Sequence, residues 1–243
     1  MRRADRTPDG RIVSNRPRRL IVVTGTGTNI GKTWVAAATL AELRGRGLRV
    51  AARKPAQSFA PQDATTPDSA VLAGATGEPP DAVCPLHRCY PIALAPPMAA
   101  EALGRSAFGI EDLVLELNAS WPADEPVDVA CVEGSGGVAS PQAMDGDTAT
   151  LIDAVDPDLV ILVAEPALGS INLVRLCLRF LGDRRPVAVH LNRFDSSCAL
   201  HQRNLGWLVE REGLEVTTDV TALVERVNGQ TLRSHQFRSV SPA

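Results

Sequence analysis

Residues 25–33 read Gly25-Thr26-Gly27-Thr28-Asn29-Ile30-Gly31-Lys32-Thr33, and this stretch matches the phosphate-binding pattern GxxxxGK[ST]. It follows an apolar run, Leu20–Val23, and opens a helical pattern, Thr33–Arg46. Glycines in such a loop let backbone N–H groups surround phosphate oxygens, and the helix N-terminus adds a partial positive charge. Lys32 is expected to neutralise the β- and γ-phosphates, and the Thr33 hydroxyl is expected to ligate Mg²⁺. The stretch predicts a nucleotide-binding strand–loop–helix unit.

Apolar runs of strand length alternate with helical patterns along the rest of the chain. The predicted strands are Leu20–Val23, Val50–Ala52, Val127–Val132, Leu159–Val163 and Val187–Leu191. The predicted helices are Thr33–Arg46, Ile110–Ser120, Asp147–Val155, Leu173–Leu181 and Ala199–Glu212. This alternation predicts an α/β protein with a P-loop NTPase-like three-layer fold, in which helices flank a mostly parallel sheet.

The chain is long enough for one large domain, which we expect to span residues 19–229. Residues 1–18 and 230–243 are polar and lack periodicity, so both are expected to be disordered tails. The Pro-rich stretches 55–67, 79–85 and 91–97 are predicted to be loops over the edge of the sheet where the strands end.

Charge and hydropathy exclude several classes of partner. The net charge is −3, and residues 1–19 contribute +5, which leaves −8 for the remainder of the chain. A domain this acidic is a poor nucleic-acid binder. No apolar run approaches the roughly 18 residues of a membrane helix, and no secretory signal precedes the domain, so we expect a cytoplasmic protein without membrane contact.

The five cysteines are scattered and form neither a CxxC pair nor a metal-ligand spacing with the four histidines. They are predicted to remain reduced thiols, as is usual in the cytoplasm.

Lysine is almost absent from the chain. Of the 25 basic residues 23 are Arg, and the only lysines are Lys32 and Lys54. Lys is a compact point charge that enters a narrow phosphate site where the planar fork of Arg does not fit. Lys54 directly follows the strand Val50–Ala52, and ligands of parallel sheets collect beyond the carboxyl ends of the strands. We therefore expect both lysines to lie near the phosphate groups and to be functional.

Two acidic residues are candidate Mg²⁺ ligands beside Thr33. Glu133 ends the strand Val127–Val132 and begins Glu133-Gly134-Ser135-Gly136-Gly137, which resembles the second metal-binding element of P-loop proteins. Asp68 lies in Pro67-Asp68-Ser69 and, taken alone, is more typical of a helix cap.

The motifs together resemble the dethiobiotin synthetase family. They occur in order across most of residues 20–229: the GT-x-T-x-x-GKT loop, Lys-Pro after the second strand, Asp-Ser-Ala, Glu-Gly-Ser-Gly-Gly, and Leu168-Gly169-Ser170-Ile171-Asn172. The phosphate loop is generic, but the later elements in this order are much more specific.

The resemblance implies roles for individual residues. Mg²⁺ would be held by Thr33, Asp68 and Glu133, and catalysis would involve Lys32, Lys54 and Thr28. The nucleotide would bind at Gly27, Thr28, Asn29, Ile30, Gly31, Lys32 and Thr33, with Asn192 reading the base. The substrate would contact Lys54 and Ser58, and a turn formed by Gly169, Ser170, Ile171 and Asn172 would hold its distant carboxylate across a homodimer interface.

The resemblance also implies the reaction. The family substrate is 7,8-diaminononanoate, whose amine takes up CO2 as a carbamate. ATP then phosphorylates the carbamate, and the second amine closes a cyclic urea as phosphate leaves. Phosphoryl transfer needs positioning and charge neutralisation more than a covalent nucleophile, and these residues suit that need.

Some residues depart from the family pattern. Asn29 stands where the family often has an acidic residue or Gly, Ser135 replaces the commoner Ala, and residues 138–145 match no family element.

Three other classes of protein stay open. One alternative is a partitioning-type ATPase switch, although the signature Lys of that class is absent from the early loop. A second is the synthetase-like domain of cobyrinate amidotransferases, expected to continue into a glutaminase domain. A third is a relative that binds nucleotide and a partner without turnover.

Overall fold

The computed structural model describes residues 16–62, 66–122, 126–183 and 185–229. In chain order the strands are β1 (Arg19–Gly25), β2 (Val50–Arg53), β3 (Gln57–Ser58), β4 (Cys89–Tyr90), β5 (Val129–Glu133), β6 (Pro141–Ala143), β7 (Gly146–Asp147), β8 (Leu159–Ala164), β9 (Val187–Leu191) and β10 (Val216–Thr217). The helices are α1 (Lys32–Gly45), α2 (Asp68–Thr76), α3 (Pro80–Val83), α4 (Pro96–Ala102), α5 (Ile110–Ser120), α6 (Thr148–Val155), α7 (Ser170–Leu181), α8 (Ala199–Gly206) and α9 (Val220–Val227). A 3₁₀ turn covers Leu86–Arg88, and a π-helical turn covers Trp207–Arg211.

A six-stranded parallel sheet in the order β10-β9-β8-β1-β5-β2 forms the centre of the fold. Strand β1 is paired on both sides, so that Ile21 lies between Leu159 of β8 and Cys131 of β5. The carboxyl ends of β1, β2 and β5 therefore meet at one edge of the sheet. The predicted mostly parallel sheet flanked by helices is confirmed.

The sheet separates two hydrophobic cores because successive side chains of a strand point to opposite faces. Leu20 and Val22 of β1 belong to one core, and Ile21 and Val23 belong to the other. Burying a Leu or Ile side chain stabilises the fold by about 1.5–3 kcal/mol. Helices α5, α6 and α7 contribute Leu113, Leu151 and Val174 to the first core, and α1, α2 and α9 contribute Leu40, Leu72 and Leu223 to the second.

The predicted strands and helices are all present, although several boundaries were wrong. The strand predicted at Val127–Val132 begins at Val129, and the helix predicted at Leu173–Leu181 begins at Ser170. The helix Asp147–Val155 begins one residue later because the Asp147 side chain caps it, accepting a hydrogen bond of 2.9 Å from the Thr150 amide. The helix predicted at Ala199–Glu212 changes to π-helical geometry after Gly206.

The Pro-rich stretches contain more regular structure than the sequence predicted. Helix α3 lies within 79–85, α4 begins within 91–97, and β3 lies within 55–67. Proline is favourable in the first turn of a helix, where its missing N–H has no intrahelical partner, and both helices begin with it. The loop prediction was therefore wrong at these segments.

The predicted tails lie mostly outside the described residues, which exclude 1–15 and 230–243. Two residues assigned to the first tail nevertheless bond to the domain. The Arg18 amide donates to the Val127 carbonyl at 2.9 Å, and the Arg16 guanidinium donates to the Val155 carbonyl at 2.9 Å.

Candidate active site

The Gly-rich loop joins β1 to α1, as the sequence predicted. Gly31 has a φ of 90° at the residue before the helix, and Asn29 has a φ of 60°. The Lys32 ammonium folds back over the loop and donates to the Gly27 carbonyl at 2.8 Å. Thr28 and Asn29 are exposed, whereas Ile30 and Lys32 are buried. The loop thus presents its first half to solvent and anchors its second half in the core.

Asn192 connects this loop to the central sheet by hydrogen bonds. Its side-chain amide donates to the Ile30 carbonyl at 2.8 Å, and its backbone amide donates to the Ala164 carbonyl at 2.8 Å. A Cβ atom on Gly31 would lie 2.1 Å from the Asn192 amide nitrogen, so only glycine fits at that position. The predicted role of Asn192 in reading the base stays a prediction, and its contact with the loop was not foreseen.

The segment after Glu133 packs directly on the Gly-rich loop. The Gly134 amide donates to the Val23 carbonyl at 3.1 Å, and a Cβ atom on Gly137 would lie 3.2 Å from the Gly25 carbonyl oxygen. The Ser135 hydroxyl donates to the Ala56 carbonyl at 2.8 Å. The segment is therefore held between the loop after β1 and the loop after β2.

Thr33, Lys54, Asp68 and Glu133 form one contact network at the edge of the sheet. The Thr33 hydroxyl lies 2.9 Å from Asp68 Oδ1 and 2.9 Å from Glu133 Oε1, and its single proton serves one of them at a time. Lys54 Nζ lies 2.5 Å from Glu133 Oε1 and 2.7 Å from Asp68 Oδ2. Residues far apart in the sequence are thus brought together beside the Gly-rich loop.

Burial and charge shift the pKa values in this network. Burial lowers the pKa of Lys54, but the carboxylates of Glu133 and then Asp68 outweigh it and raise that pKa above its usual value. Burial also opposes ionisation of Asp68, yet the Lys54 ammonium lowers its pKa overall. Burial, followed by repulsion from Lys54, lowers the pKa of Lys32 to about 8. Lys54 and Asp68 are therefore both ionised at neutral pH.

The donor set fits Mg²⁺. Glu133 is fully buried, and its Oε2 atom has no hydrogen-bond partner, which is costly unless another group satisfies it. Within the part of the chain that the structure describes, no group of three or more His, Cys, Asp or Glu side chains could hold a metal. Mg²⁺ uses few protein ligands and keeps several waters, so two carboxylates and a hydroxyl meet its requirements.

Asp68 is held in place by a residue that the sequence analysis missed. Asp68 is the first residue of α2 rather than its cap, which is Pro67. Buried Gln57 accepts a hydrogen bond of 3.0 Å from the Ser69 amide and donates one of 2.9 Å to the Ser69 hydroxyl. It thereby fixes the first turn of α2. A single glutamine in a Pro-rich stretch gives no signal of such a role.

Ser58 lies in β3, which continues from the end of β2 and pairs with β4. Its hydroxyl donates to the Leu94 carbonyl at 2.5 Å. Its side chain is partly exposed, and its predicted contact with substrate stays a prediction.

Residues 169–172 do not form the turn that the sequence analysis expected. Gly169, with a φ of 88°, caps helix α7, and Ser170, Ile171 and Asn172 form its first helical turn. Ser170 is buried, whereas Gly169 and Asn172 are exposed. The segment borders a groove of about 440 Å³, which is also lined by Leu168, Arg175, Leu176, Arg179 and Asn204.

Comparison with known proteins identifies the family. The family described as "AAA domain" matches residues 19–226. An ATP-dependent dethiobiotin synthetase from Caulobacter sp. (strain K31) is 39% identical over 161 residues, which cover 65% of this chain and 68% of that protein. The enzyme of the same name from Anaeromyxobacter sp. (strain Fw109-5) is 34% identical over 217 residues, which cover 86% and 93%.

The chain belongs to the dethiobiotin synthetase family. The family expected from the motifs is therefore confirmed, and the relatives carry the name of an ATP-dependent enzyme. The similarity to the Anaeromyxobacter dethiobiotin synthetase spans most of both chains.

Solved structures share the fold of this dethiobiotin synthetase family member at much lower identity. A plasmid partition protein from Borrelia burgdorferi has a TM-score of 0.50 at 14% identity and covers 87% of this chain and 96% of its own. Cobyrinic acid a,c-diamide synthase from Mycobacterium smegmatis, solved with an ATP analogue and magnesium, has a TM-score of 0.50 at 16% identity and covers 86% and 93%. These similarities establish the P-loop fold alone.

Among the described residues, no helix is both long enough and apolar enough to cross a membrane.

Proposed function

We propose that the protein is an ATP-dependent dethiobiotin synthetase, a cyclo-ligase that joins CO2 to the two amines of 7,8-diaminononanoate. The observation that carries this proposal is the contact network beside the Gly-rich loop. There Lys54 Nζ contacts both carboxylates, at 2.5 Å and 2.7 Å, and the Thr33 hydroxyl lies 2.9 Å from each of the same groups. The chain's two lysines and two buried or half-buried acids thus occupy the site where a triphosphate would react.

The nucleotide is proposed to bind along residues 27–33. Backbone N–H groups of the loop and the N-terminus of α1 face the phosphates in this fold and favour negative charge. Lys32, which crosses the loop to the Gly27 carbonyl, exchanges that acceptor for phosphate oxygens when ATP binds. Thr28 is exposed on the loop and is proposed to contact the transferring phosphoryl group.

Mg²⁺ is proposed to bind at Thr33, Asp68 and Glu133. The unpartnered Oε2 atom of buried Glu133 supports this assignment. When bound, Mg²⁺ neutralises the charge of the β- and γ-phosphates and holds them in one orientation.

The reaction is proposed to proceed in three steps. One amine takes up CO2 to form a carbamate and loses a proton. A carbamate oxygen then attacks the γ-phosphorus of ATP, the bond from phosphorus to the bridging oxygen breaks, and ADP leaves. The second amine attacks the carbamate carbon and loses a proton, and phosphate departs with the carbamate oxygen. The products are the five-membered cyclic urea, ADP and phosphate.

The chain's own residues assist these steps by position and charge. Lys54 lies beside Glu133 and Asp68, and its ammonium is proposed to stabilise the negative charge shared by carbamate and γ-phosphate. Ser58 follows Lys54 on the same edge and is proposed to bind the diamine near its reacting end. No covalent nucleophile is needed, because the enzyme holds the reactants in line.

A homodimer is proposed to complete the substrate site. Helix α7 exposes Leu173, Leu176 and Phe180 on one face, and Leu168 just before the helix is 88% exposed. An apolar face of this kind is typical of a protein interface. Pairing of two α7 faces brings the segment Gly169–Asn172 to the interface, where its exposed backbone and the Asn172 amide can hold the substrate carboxylate.

The cytoplasmic location expected from the sequence stays a prediction.

The proposed activity is tested with purified protein, 7,8-diaminononanoate, bicarbonate and Mg·ATP. The expected result is phosphate release that requires the diamine, together with one dethiobiotin formed per phosphate. Release that is equally fast without the diamine would indicate the partitioning-type ATPase instead. Nucleotide binding with no release under either condition would indicate the non-enzymatic relative.

A further inference from the structure

Two cysteines that are separated in the sequence lie side by side near the proposed active site. Cys84 follows helix α3 and is buried, and Cys89 begins β4 and is partly exposed. Their sulfur atoms are 3.5 Å apart and share a hydrogen bond. All five cysteines of the chain are free thiols in this structure, and Cys131 and Cys177 are each buried.

The surroundings favour the thiolate of Cys89. When Cys89 is ionised, the Cys84 thiol donates to the thiolate, and this hydrogen bond is the main reason that the pKa of Cys89 falls to about 6, while partial burial opposes the shift. Gln57 Nε2 also donates to Cys89 Sγ at 3.2 Å, and the charges of Arg105 and His87 add to the effect. Thiolates are the reactive form of cysteine toward oxidants and disulfides. Cys89 thus combines access, nucleophilicity and a neighbouring second thiol.

We infer that Cys84 and Cys89 form a reversible disulfide when the protein meets hydrogen peroxide, and that this bond loosens the start of helix α2. The Cys89 thiolate attacks one oxygen of hydrogen peroxide, the O–O bond breaks, and Cys89 becomes a sulfenic acid. The leaving hydroxide takes up the proton that the Cys89 thiol had released and becomes water. The Cys84 sulfur then attacks the Cys89 sulfur, and the sulfenic oxygen leaves as water with the Cys84 proton. Two thiols are oxidised, and one peroxide is reduced to two waters.

The connection to the active site passes through Gln57. The same side-chain amide that donates to Cys89 Sγ also donates to the Ser69 hydroxyl, next to Asp68. Formation of the disulfide closes the sulfurs from 3.5 Å to a bond of about 2.05 Å and turns the Cys89 thiolate into a neutral sulfur, so the Gln57 amide loses its charged acceptor. Buried Gln57 then lacks one acceptor, and its hold on the first turn of α2 weakens.

Mass spectrometry tests the bond without any assay of activity. Trypsin cleaves after Arg88, between the two cysteines, so the disulfide would join the peptide 54–88 to the peptide 89–105. The full-length protein is treated with hydrogen peroxide, alkylated and digested. The expected result is the joined pair, which dithiothreitol separates. The joined pair should be absent in Cys89→Ser and present in Cys198→Ser, which lacks a partly exposed thiol elsewhere.

Hydrogen exchange tests the effect on α2. Peptides covering residues 68–76 should exchange about three- to tenfold faster at their first turn after oxidation, and Cys89→Ser treated in the same way should show no change. Separate peptides 54–88 and 89–105 after peroxide treatment would overturn the disulfide. A joined pair with unchanged exchange at α2 would overturn the coupling. Neither result depends on whether the protein makes dethiobiotin.

Discussion

Replacing Lys54 by Met removes the ammonium from the network and keeps a side chain of similar length. Lys54 is 3% exposed and contacts Glu133, which is fully buried, and Asp68, whose side chain is 43% exposed. In the variant, water hydrates the Asp68 carboxylate more readily than the Glu133 carboxylate, because Glu133 is fully buried. Breaking a buried ion pair from one side costs about 3–5 kcal/mol, because the other charge stays buried without a partner. We expect Lys54→Met to lower the free energy of unfolding by about 3–5 kcal/mol, mainly because the Glu133 charge stays buried without a partner.

The assays are urea unfolding and thermal unfolding of the wild type and of Lys54→Met at neutral pH, with and without Mg²⁺. The loss of stability should lower the melting temperature by about 6–20 °C in a protein of this size. If Thr33, Asp68 and Glu133 bind the cation, millimolar Mg²⁺ should restore part of the stability in the variant and change the wild type less. Arg18→Met is the matched control, because it breaks an exposed ion pair with Asp128 and should cost less than about 1 kcal/mol. A loss below about 1 kcal/mol for Lys54→Met, unaffected by Mg²⁺, would refute the buried network as a cation site.

Four further experiments test the Gly-rich loop, Lys54, the proposed dimer interface and His190. Lys32→Ala should lower turnover by about 10²–10³-fold, the effect of removing one electrostatic donor, and near-normal turnover would contradict the assignment of the loop. Lys54→Arg keeps the charge but enlarges its head, so steady-state kinetics should show turnover falling by at least about tenfold while nucleotide binding persists. Leu176→Glu should give monomers in sedimentation experiments, because it puts a charge on the proposed interface. Leu115→Glu is the control, since Leu115 is equally exposed on α5, and it should remain dimeric. If both variants are dimers, the interface lies elsewhere. Burial lowers the pKa of His190 to about 4, from about 6.5 in the unfolded state. Between these values the unfolded state binds more protons than the folded state, so the free energy of unfolding decreases as the pH is lowered. In urea titrations, His190→Asn should therefore abolish about 2 kcal/mol of the stability that the wild type loses between pH 7 and pH 5.

The parallel sheet and the positions of the main strands could be predicted from the sequence. Buried strands such as Leu159–Ala164 are continuous apolar runs, and the order of motifs placed Lys54 and Glu133 at strand ends. The rule that parallel strands carry ligands at their carboxyl ends then brought these residues to the Gly-rich loop. The structure has them at that edge, although their catalytic roles stay predictions.

The segments after the second strand could not be predicted, because their structure depends on tertiary contacts. Proline marks a helix start as well as a loop, and α3 and α4 both begin with it. Gln57 and Asn192 act by single hydrogen bonds to backbone or to a neighbouring side chain, and no periodicity or motif announces such bonds. The proximity of Cys84 and Cys89 likewise results from a 3₁₀ turn between them, which the sequence pattern did not indicate.

The origin of the oxygens in the released phosphate tests the central claim most directly. In a single turnover with ¹⁸O-labelled CO2, the diamine and Mg·ATP, the bond that breaks last is the one between the carbamate carbon and its phosphorylated oxygen. The account predicts that the phosphate carries one oxygen from CO2. Phosphate without label, from a reaction that still consumes ATP, would show that water attacks the γ-phosphorus and would contradict transfer to a carbamate held beside Lys32 and Lys54.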